Sequence, residues 1–284
     1  MRIEPVGEFF LGWGESLVWD EQKARLYFVD CSTRTLHWLD GGAGTLHTLQ
    51  LPSMATGIVP TDEGTLIGVL DDGLYVIDPD TGATDLLTGY PPELGGRAND
   101  ACADLAGNLI TGKLGLGPVE GSTWWYSRQK GWRLLDPEIS NTNGPAVGVI
   151  GDAMTLIIGD TATNYFCYPY DPEEGTVGKR TVFGDVQSLD GSPDGTTLDE
   201  SGGLWCALIG GHQLARFSHG HLDRTTPLPL ANPTDVTFGG EQLDRLFVVS
   251  TGFSAKPGAG LDGALLVIDG LDVRGRPEPR FSLA

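Results

Sequence analysis

Paired cysteines and long hydrophobic runs are both missing from this sequence of 284 residues. None of its four cysteines lies in a C-x-x-C motif or has a histidine at zinc-ligand spacing, which argues against a disulfide scaffold and a structural zinc site. No apolar run approaches the ~18 residues of a transmembrane helix, and no basic, apolar and small-residue pattern marks a signal peptide. We therefore expect free thiols and a cytoplasmic protein that binds no membrane.

Basic residues are also scarce. The chain has 18 Lys and Arg against 38 Asp and Glu, a formal net charge of −20 and a pI near 4.4. A nucleic-acid partner calls for Lys and Arg to neutralise phosphates, so this balance argues against one. An acidic surface keeps a protein in solution, and it is compatible with a bound divalent cation. We expect a small-molecule partner, no nucleic acid, and a monomer or weak homo-oligomer.

Helical periodicity and the common catalytic motifs are absent as well. No long window places apolar residues at i, i+3, i+4 and i+7. The sequence contains no G-x-S-x-G, P-loop or H-E-x-x-H motif. Its five histidines form no group at metal-ligand spacing apart from the loose pair His219 and His221. A histidine-led catalytic triad is therefore unsupported.

Glycine is abundant, at 42 residues, and short β-rich runs alternate with Gly, Asp and Pro clusters. Each run belongs to a repeat with a turn, a leucine-containing strand, a polar gap and a second strand. The anchor leucines are 40, 43, 47, 48 and 42 residues apart: Leu26, Leu66, Leu109, Leu156, Leu204 and Leu246. Six repeats of this length predict an all-β protein, a six-bladed β-propeller that forms one domain over residues 1–284.

A propeller brings together residues that are distant in sequence, because its inner strands surround one channel. Site residues should therefore occur about one blade apart, in short loops next to strands. Polar residues in Gly-rich loops meet this description: Glu15, Arg97, Asn99, Asp100, Asn141, Asn143, Asp194 and Asp199. Each alone has an ordinary interpretation as a turn residue or an ion-pair partner. Together they offer hard oxygen ligands suited to Ca²⁺, Mg²⁺ or Mn²⁺.

The first of these loops, L-G-W-G-E-S-L-V-W-D at residues 11–20, combines a glycine corner, an acidic residue and the start of an apolar strand. We expect Gly14 to permit a tight turn that faces Glu15 towards the channel axis. Trp19, four residues later, is expected to lie in the core of its blade.

At these loops the sequence resembles the SMP-30/gluconolactonase family of six-bladed propellers, which hold one divalent metal on the channel axis. The family opening G-E-G-P-x-W is similar to residues 14–19, although Ser16 and Leu17 replace Gly and Pro. Its R-x-N-D motif matches residues 97–100, and its S-N-G motif resembles S-N-T-N-G at residues 140–144. Its P-D-G-x-x-x-D-x-x-G-x-L-W motif is matched throughout residues 193–205. The resemblance extends over all six predicted blades.

The resemblance implies a role for individual residues. The implied metal ligands are Glu15, Asn143 and Asp194, and the implied substrate-binding residues are Arg97, Asn99 and Glu120. Asn141 is a rival to Asn143, because the S-N-T-N-G loop has two extra residues. Glu120 would partly substitute for an acidic pair that some sugar lactonases carry nearby. The implied cofactor is one divalent ion, Ca²⁺ by preference, with Mg²⁺, Mn²⁺, Zn²⁺ or Fe²⁺ as alternatives.

Members of that family mostly hydrolyse sugar lactones. The resemblance therefore implies a metal-dependent lactonase that opens an aldonolactone to its sugar acid, with the metal polarising the carbonyl and activating water. A carboxylate would accept the proton from water, with Asp194 as first choice and Asp100 as second. Two alternatives stay open: a phosphotriesterase-like hydrolase on the same site, and a non-catalytic propeller that serves as a binding module.

Overall fold

The computed structural model describes residues 1–115, 121–253 and 260–284, and all regular structure in these ranges is β-strand. The strands form six sheets, in which neighbouring strands pair antiparallel. The predicted six-bladed β-propeller is thus confirmed. No helix with the length and apolarity to cross a membrane occurs in the part of the chain that is described.

Blades 1 to 3 run in sequence order from the innermost strand to the outermost, after an N-terminal strand β1 (Arg2–Pro5) that belongs to the last blade. Blade 1 comprises β2 (Gly14–Asp20), β3 (Arg25–Asp30), β4 (Thr35–Asp40) and β5 (Leu46–Gln50). Blade 2 comprises β6 (Ala55–Pro60), β7 (Leu66–Leu70), β8 (Gly73–Ile77) and β9 (Thr84–Gly89). Blade 3 comprises β10 (Ala98–Ala103), β11 (Leu109–Lys113), β12 (Ser122–Ser127) and β13 (Gly131–Asp136).

Blades 4 and 5 repeat this plan, and blade 6 uses both ends of the chain. Blade 4 comprises β14 (Thr142–Ile150), β15 (Ala153–Asp160), β16 (Tyr165–Asp171), β17 (Thr176–Val177) and β18 (Thr181–Gly184). Blade 5 comprises β19 (Ser192–Leu198), β20 (Leu204–Ile209), β21 (Gln213–Ser218) and β22 (His221–Pro227). Blade 6 comprises β23 (Pro233–Gly239), β24 (Arg245–Ser250), β25 (Leu266–Asp269) and β1.

The ring closes through β1, which pairs antiparallel with β25 so that Ile3 lies opposite Ile268. Residues 233–269 supply three strands of blade 6, and the fourth comes from the other end of the chain. Backbone hydrogen bonds thus fasten the segment that leads into blade 1 to the outer strand of blade 6.

Apolar side chains fill the spaces between neighbouring blades. The six anchor leucines all lie on second strands and are at most 1% exposed. Six hydrophobic clusters fill the six interfaces between adjacent blades, one cluster at each interface. Trp19 is confirmed as a core residue, since it packs with Phe28 and with Phe247 of blade 6. Each large side chain buried in this way contributes about 1.5–3 kcal/mol.

The inner strands β2, β6, β10, β14, β19 and β23 surround the channel, and each has a register shift near its start. A β-bulge at such a shift bends the strand and re-aims a side chain. We call the end of the channel at these bulges the upper mouth. The ends of the second strands lie beside them, so the upper mouth collects residues from two positions in each blade.

The opposite end, which we call the lower mouth, is crossed by residues 276–284. This segment forms hydrogen bonds with residues of all six blades. Its partners include Asp20, Thr61, Gly107, Arg128, Val149, Thr197 and Thr237. The segment therefore ties the blades together on the side away from the upper mouth.

Candidate functional site

Six equivalent positions, one on each inner strand, surround the upper mouth: Glu15, Thr56, Asn99, Asn143, Asp194 and Thr234. The equivalence is visible in the bonds between blades. Thr56 donates to Ala98 O, and Asn99 donates to Thr142 O. Each acceptor immediately precedes the equivalent position of the next blade. The repeat therefore places one side chain from each blade around the upper mouth of the channel.

Four of these six side chains line a single pocket at the upper mouth, with a volume of about 380 Å³. Small-molecule sites typically occupy about 300–1,000 Å³. Its described lining comprises Trp13, Glu15, Arg97, Asn99, Leu114, Asn141, Asn143, Thr161, Asp194, Ile209, Thr251 and Phe253. Six of the eight polar candidates from the sequence therefore meet here, although blades 1, 3, 4 and 5 supply them.

Glu15 is held by the residues that precede its strand. Asp30 accepts hydrogen bonds from the backbone N–H groups of Gly12 and Trp13, at 2.9 and 3.1 Å. This fixes Trp13, whose Nε1 donates a 2.8 Å hydrogen bond to Glu15 Oε1. Burial raises the pKa of Glu15 to about 8, against the opposing effect of the Trp13 hydrogen bond. An anionic Glu15 therefore needs a positive partner in the pocket.

Gly14 is needed for packing, and the prediction that it forms a tight turn is wrong. It lies inside β2, and its φ angle is not in the left-handed region. A Cβ at this position would lie 2.5 Å from Val249 Cγ2 and 2.7 Å from Ser250 O, so only glycine lets blades 1 and 6 approach this closely. The left-handed residue of this stretch is Ser16, with φ 50°.

Ser16 and Leu17, the two departures from the G-E-G-P pattern, both bond to neighbouring blades. The Ser16 hydroxyl accepts a 2.7 Å hydrogen bond from the Ile58 N–H, and the Leu17 N–H donates at 2.6 Å to Asp235 Oδ2. Proline has no N–H and would leave that Asp235 oxygen without its donor. The two replacements therefore exchange a pre-set turn for hydrogen bonds that join blade 1 to blades 2 and 6.

Asn143 has its amide oriented by neighbours on both sides. Asn99 Nδ2 donates to Asn143 Oδ1, and Asn143 Nδ2 donates to Thr161 Oγ1 at 2.6 Å. Asn141 Nδ2 also donates to Thr161 Oγ1, at 3.1 Å, whereas Asn141 Oδ1 is buried with no partner among the described residues. Thr161 thus accepts hydrogen bonds from both asparagines, and all three residues line the pocket.

Asp194 is fixed through its backbone. The hydroxyl of buried Tyr165 lies 2.9 Å from Asp194 N and 3.0 Å from Asp194 O. No side chain of the described residues donates a hydrogen bond to the Asp194 carboxylate. Burial, followed by the negative charges of Glu15 and Asp100, raises the pKa of Asp194 well above its usual range. The pocket thus contains a carboxylate on a fixed backbone, to which no described side chain donates a hydrogen bond.

Asp100 lies next to this ring and does not line the pocket. Its two oxygens accept hydrogen bonds from Ala101 N and Gly144 N, at 2.7 and 2.6 Å. It faces a smaller cavity of about 40 Å³ in the channel, together with Asp235 and Glu278. Burial raises the pKa of Asp100 to about 6, and its two backbone donors oppose that rise.

The two remaining acidic candidates lie elsewhere. Asp199 is fully buried and pairs with Arg216 at 2.7 Å, so it stabilises blade 5 and does not reach the pocket. Glu120, the predicted substitute for the acidic pair, lies outside the described residues.

Arg97 reaches from blade 3 to Trp13 of blade 1. Blade 2, which lies between them, contributes no side chain to the described lining of the pocket. The Arg97 guanidinium lies 5.0 Å from the centre of the Trp13 ring, and its terminal nitrogen donates to Asn99 Oδ1 at 3.0 Å. Arg97 Nε is buried and has no partner among the described residues.

Sequence reasoning missed the pocket residues Trp13, Leu114, Thr161, Ile209, Thr251 and Phe253. Trp13 could have been found from the sequence, because residues two apart in extended backbone face the same side. Trp13 and Glu15 show this spacing, as do Arg97 and Asn99. The other missed residues lie at or near the ends of second strands or in the loops that follow them, where no motif marks them.

The donor set fits a divalent cation. Glu15 and Asp194 supply carboxylates and Asn143 supplies an amide oxygen, which are the ligands that hard cations prefer. Burial raises the pKa of both carboxyl groups, and the negative charge of Asp100 adds to the rise at each of them. Glu15 raises the pKa of Asp194 further, so a cation would relieve this repulsion. Among the described residues, no three His, Cys, Asp or Glu side chains form a metal cluster, so a site here needs amide ligands.

Comparison with known proteins agrees with the fold. Residues 13–252 match the family model described as SMP-30/Gluconolactonase/LRE-like region. The chain is 28% identical over 283 residues to pentonolactonase XacC of Haloferax volcanii, with 94% of each chain covered. Its fold is similar to luciferin-regenerating enzyme, with TM-score 0.90, 26% identity and 99% of each chain covered. It is also similar to regucalcin of Agrobacterium tumefaciens, described as calcium-binding, with TM-score 0.89, 26% identity and 98% and 97% coverage.

Proposed function

Since the chain belongs to the SMP-30/gluconolactonase/LRE-like family, we propose that it is a hydrolase that uses a divalent cation to open a sugar lactone to its sugar acid. One observation carries this proposal: Glu15, Asn143 and Asp194 line one pocket, and the Asp194 carboxylate has no hydrogen-bond donor from any described side chain. The name pentonolactonase, given to the Haloferax relative, supports a lactone as substrate.

We assign the cation to Glu15, Asn143 and Asp194, whose oxygens suit Ca²⁺, Mg²⁺ or Mn²⁺, and we take Ca²⁺ as the first choice. The calcium-binding description of the Agrobacterium regucalcin supports the same choice. When bound, the cation supplies Lewis-acid stabilisation of the negative charge that develops on the lactone carbonyl oxygen. Asn143 is preferred over Asn141 because its position on the inner strand of its blade is equivalent to those of Glu15 and Asp194.

The substrate hydroxyls would be held by Arg97 and Asn141. Both residues line the pocket, where a guanidinium offers donors and an amide offers an acceptor for a hydroxyl group. Asn99 accepts from Arg97 and donates to Asn143, so it also holds these two side chains in place. Fixing the lactone in this way accelerates attack by orientation.

Asp194 is proposed to move the proton. The oxygen of water attacks the lactone carbonyl carbon while its proton passes to one Asp194 oxygen. The ring C–O bond then breaks, and the ring oxygen takes that proton back from Asp194 and leaves as a hydroxyl group. Asp100 is the poorer candidate, because both its oxygens already accept backbone N–H bonds.

A lactone panel run with chelator-treated and reconstituted protein tests the proposal. Gluconate, xylonate, arabinonate, galactonate and fuconate lactones are each assayed with Ca²⁺, Mg²⁺, Mn²⁺, Zn²⁺ and Fe²⁺, and a phosphotriester is assayed alongside. We expect hydrolysis of at least one lactone that disappears after chelation and returns with Ca²⁺. Turnover of the phosphotriester alone would favour the phosphotriesterase alternative, and turnover unaffected by chelation would overturn the metal assignment.

A further inference from the structure

The pocket has two chemically different sides. Blades 3 and 4 supply a mainly polar side, with Arg97, Asn141 and Thr161 as its hydrogen-bonding groups beside the apolar Leu114. The side formed by blades 5, 6 and 1 carries the apolar residues Ile209, Phe253 and Trp13 as well as the two carboxylates. Thr251 also lies on that side, but its hydroxyl already donates to Gly12 O and accepts from Phe253 N. Apart from the carboxylates, the described lining therefore offers hydroxyl-binding groups to a ligand on one side only.

The apolar side is built around an aromatic pair from adjacent blades. The rings of Trp13 and Phe253 are 6.4 Å apart at a tilt of 43°. Trp13 is fixed by its bond to Glu15 and by the Arg97 guanidinium on its face. Phe253 is 82% exposed, so most of its ring remains available to a ligand. Covering an exposed aromatic ring with an apolar group is favourable by about 25 cal/mol for each Å² buried.

The polar side limits the charge that a ligand can carry. Arg97 is the one cationic side chain among the described lining residues, and it is already engaged with Trp13 and Asn99. Among the described residues, no further cationic side chain lies beside Ile209 and Phe253 to pair with a phosphate or sulfonate at the far end of a sugar lactone. A methyl group placed against these apolar side chains gains from covering them, whereas a hydroxyl group there gives up part of its hydration.

We propose that Phe253, together with Trp13 and Ile209, selects sugar lactones whose terminal carbon carries no hydroxyl and no charge, that is, 6-deoxyhexonolactones. The carbonyl end lies at Glu15, Asn143 and Asp194, the ring hydroxyls face Arg97 and Asn141, and the terminal methyl group packs on Phe253. This inference rests on the proposed lactonase function and adds the substrate class.

A matched pair of substrates tests the inference. D-fucono-1,4-lactone and D-galactono-1,4-lactone differ only in a terminal methyl group against a hydroxymethyl group. With calcium-loaded protein, we expect kcat/KM to favour the fuconolactone by about tenfold. Phe253→Ala should reduce this preference to about twofold through loss on the fuconolactone, and Phe253→Leu should keep most of it. Phe10→Ala is the control, because Phe10 is 66% exposed and does not line the pocket.

Calorimetric binding of D-fuconate and D-galactonate separates this inference from the proposed function. If neither lactone is hydrolysed but D-fuconate binds about tenfold more tightly, the lactonase function fails, whereas the selectivity of the pocket for a terminal methyl group is supported. If lactones are hydrolysed with equal kcat/KM and the two acids bind equally, the inference is overturned and the function stands. An equal loss on both substrates in Phe253→Ala would also overturn it, since that pattern indicates a general structural role.

Discussion

Asn99 donates a hydrogen bond from Nδ2 to Asn143 Oδ1 across the boundary between blades 3 and 4. Asn143 donates from its own nitrogen to Thr161, so its amide orientation is fixed, and it lines the same pocket as Glu15 and Asp194. Asn141 also donates a hydrogen bond to Thr161, but it lies two residues before Asn143 and therefore outside the six equivalent inner-strand positions. The two asparagines therefore have different environments, which separate their proposed roles.

Alanine substitutions should distinguish the two asparagines. Asn143→Ala removes a proposed ligand and is expected to weaken Ca²⁺ binding by more than about tenfold. Asn141→Ala removes a substrate acceptor, so KM should rise about five- to tenfold while Ca²⁺ affinity stays within about twofold. Calcium titration calorimetry and steady-state kinetics on both variants measure this. The opposite pattern would make Asn141 the ligand.

Asp194→Asn should abolish lactone turnover, with kcat/KM falling by at least about a thousandfold. The amide cannot accept the proton and removes one negative charge from the cation site. Ca²⁺ should also lose most of its effect on the thermal midpoint, since a ligand that binds only the folded state raises it. Asp190→Asn is the matched control, because Asp190 is exposed and precedes the same strand. Parental turnover in Asp194→Asn would refute its role.

Leu17→Pro should destabilise the protein by about 1–3 kcal/mol, although proline is the residue of the family pattern. The change removes the N–H that bonds to Asp235 Oδ2 and leaves that buried carboxylate with one donor fewer. Urea unfolding in saturating Ca²⁺ measures the effect. In a double-mutant cycle, the cost should shrink when Asp235→Ala has already removed the acceptor. Additive effects would mean that the bond contributes nothing.

Glu278→Gln should become more stabilising, relative to wild type, as pH rises from 5 to 8. Burial raises the pKa of Glu278 from 4.5 to about 7, against the opposing hydrogen bonds from Thr237 and Thr197. Between these values the folded protein holds a proton that the unfolded chain releases, so the free energy of unfolding falls as pH rises. Glutamine does not titrate and removes this loss.

Thermal unfolding of both proteins at pH 5, 6, 7 and 8 with Ca²⁺ present checks the sign. Other buried carboxylates contribute equally to wild type and variant, so the difference between them isolates Glu278. A difference that does not change with pH would contradict the assignment.

The sequence predicted the blades because their period depends on local features, namely leucines on second strands and turns between them. It did not reveal the closure of blade 6, because β1 has only four residues and pairs with a strand at the far end of the chain. Four of the six equivalent inner-strand positions were found, because Glu15, Asn99, Asn143 and Asp194 each lie in a recognisable motif, whereas no motif marks the threonines of the other two. Phe253 was not found, since only the folded ring brings it within reach of Trp13.

The central claim is that Glu15, Asn143 and Asp194 hold the cation that supports lactone hydrolysis. Its most direct test is a crystal structure of the protein with the cation that gives the highest turnover, located by anomalous scattering. We predict one peak in the upper mouth, about 2.0–2.6 Å from an oxygen of each of the three residues. An active, cation-dependent enzyme whose peak lies elsewhere would contradict the account.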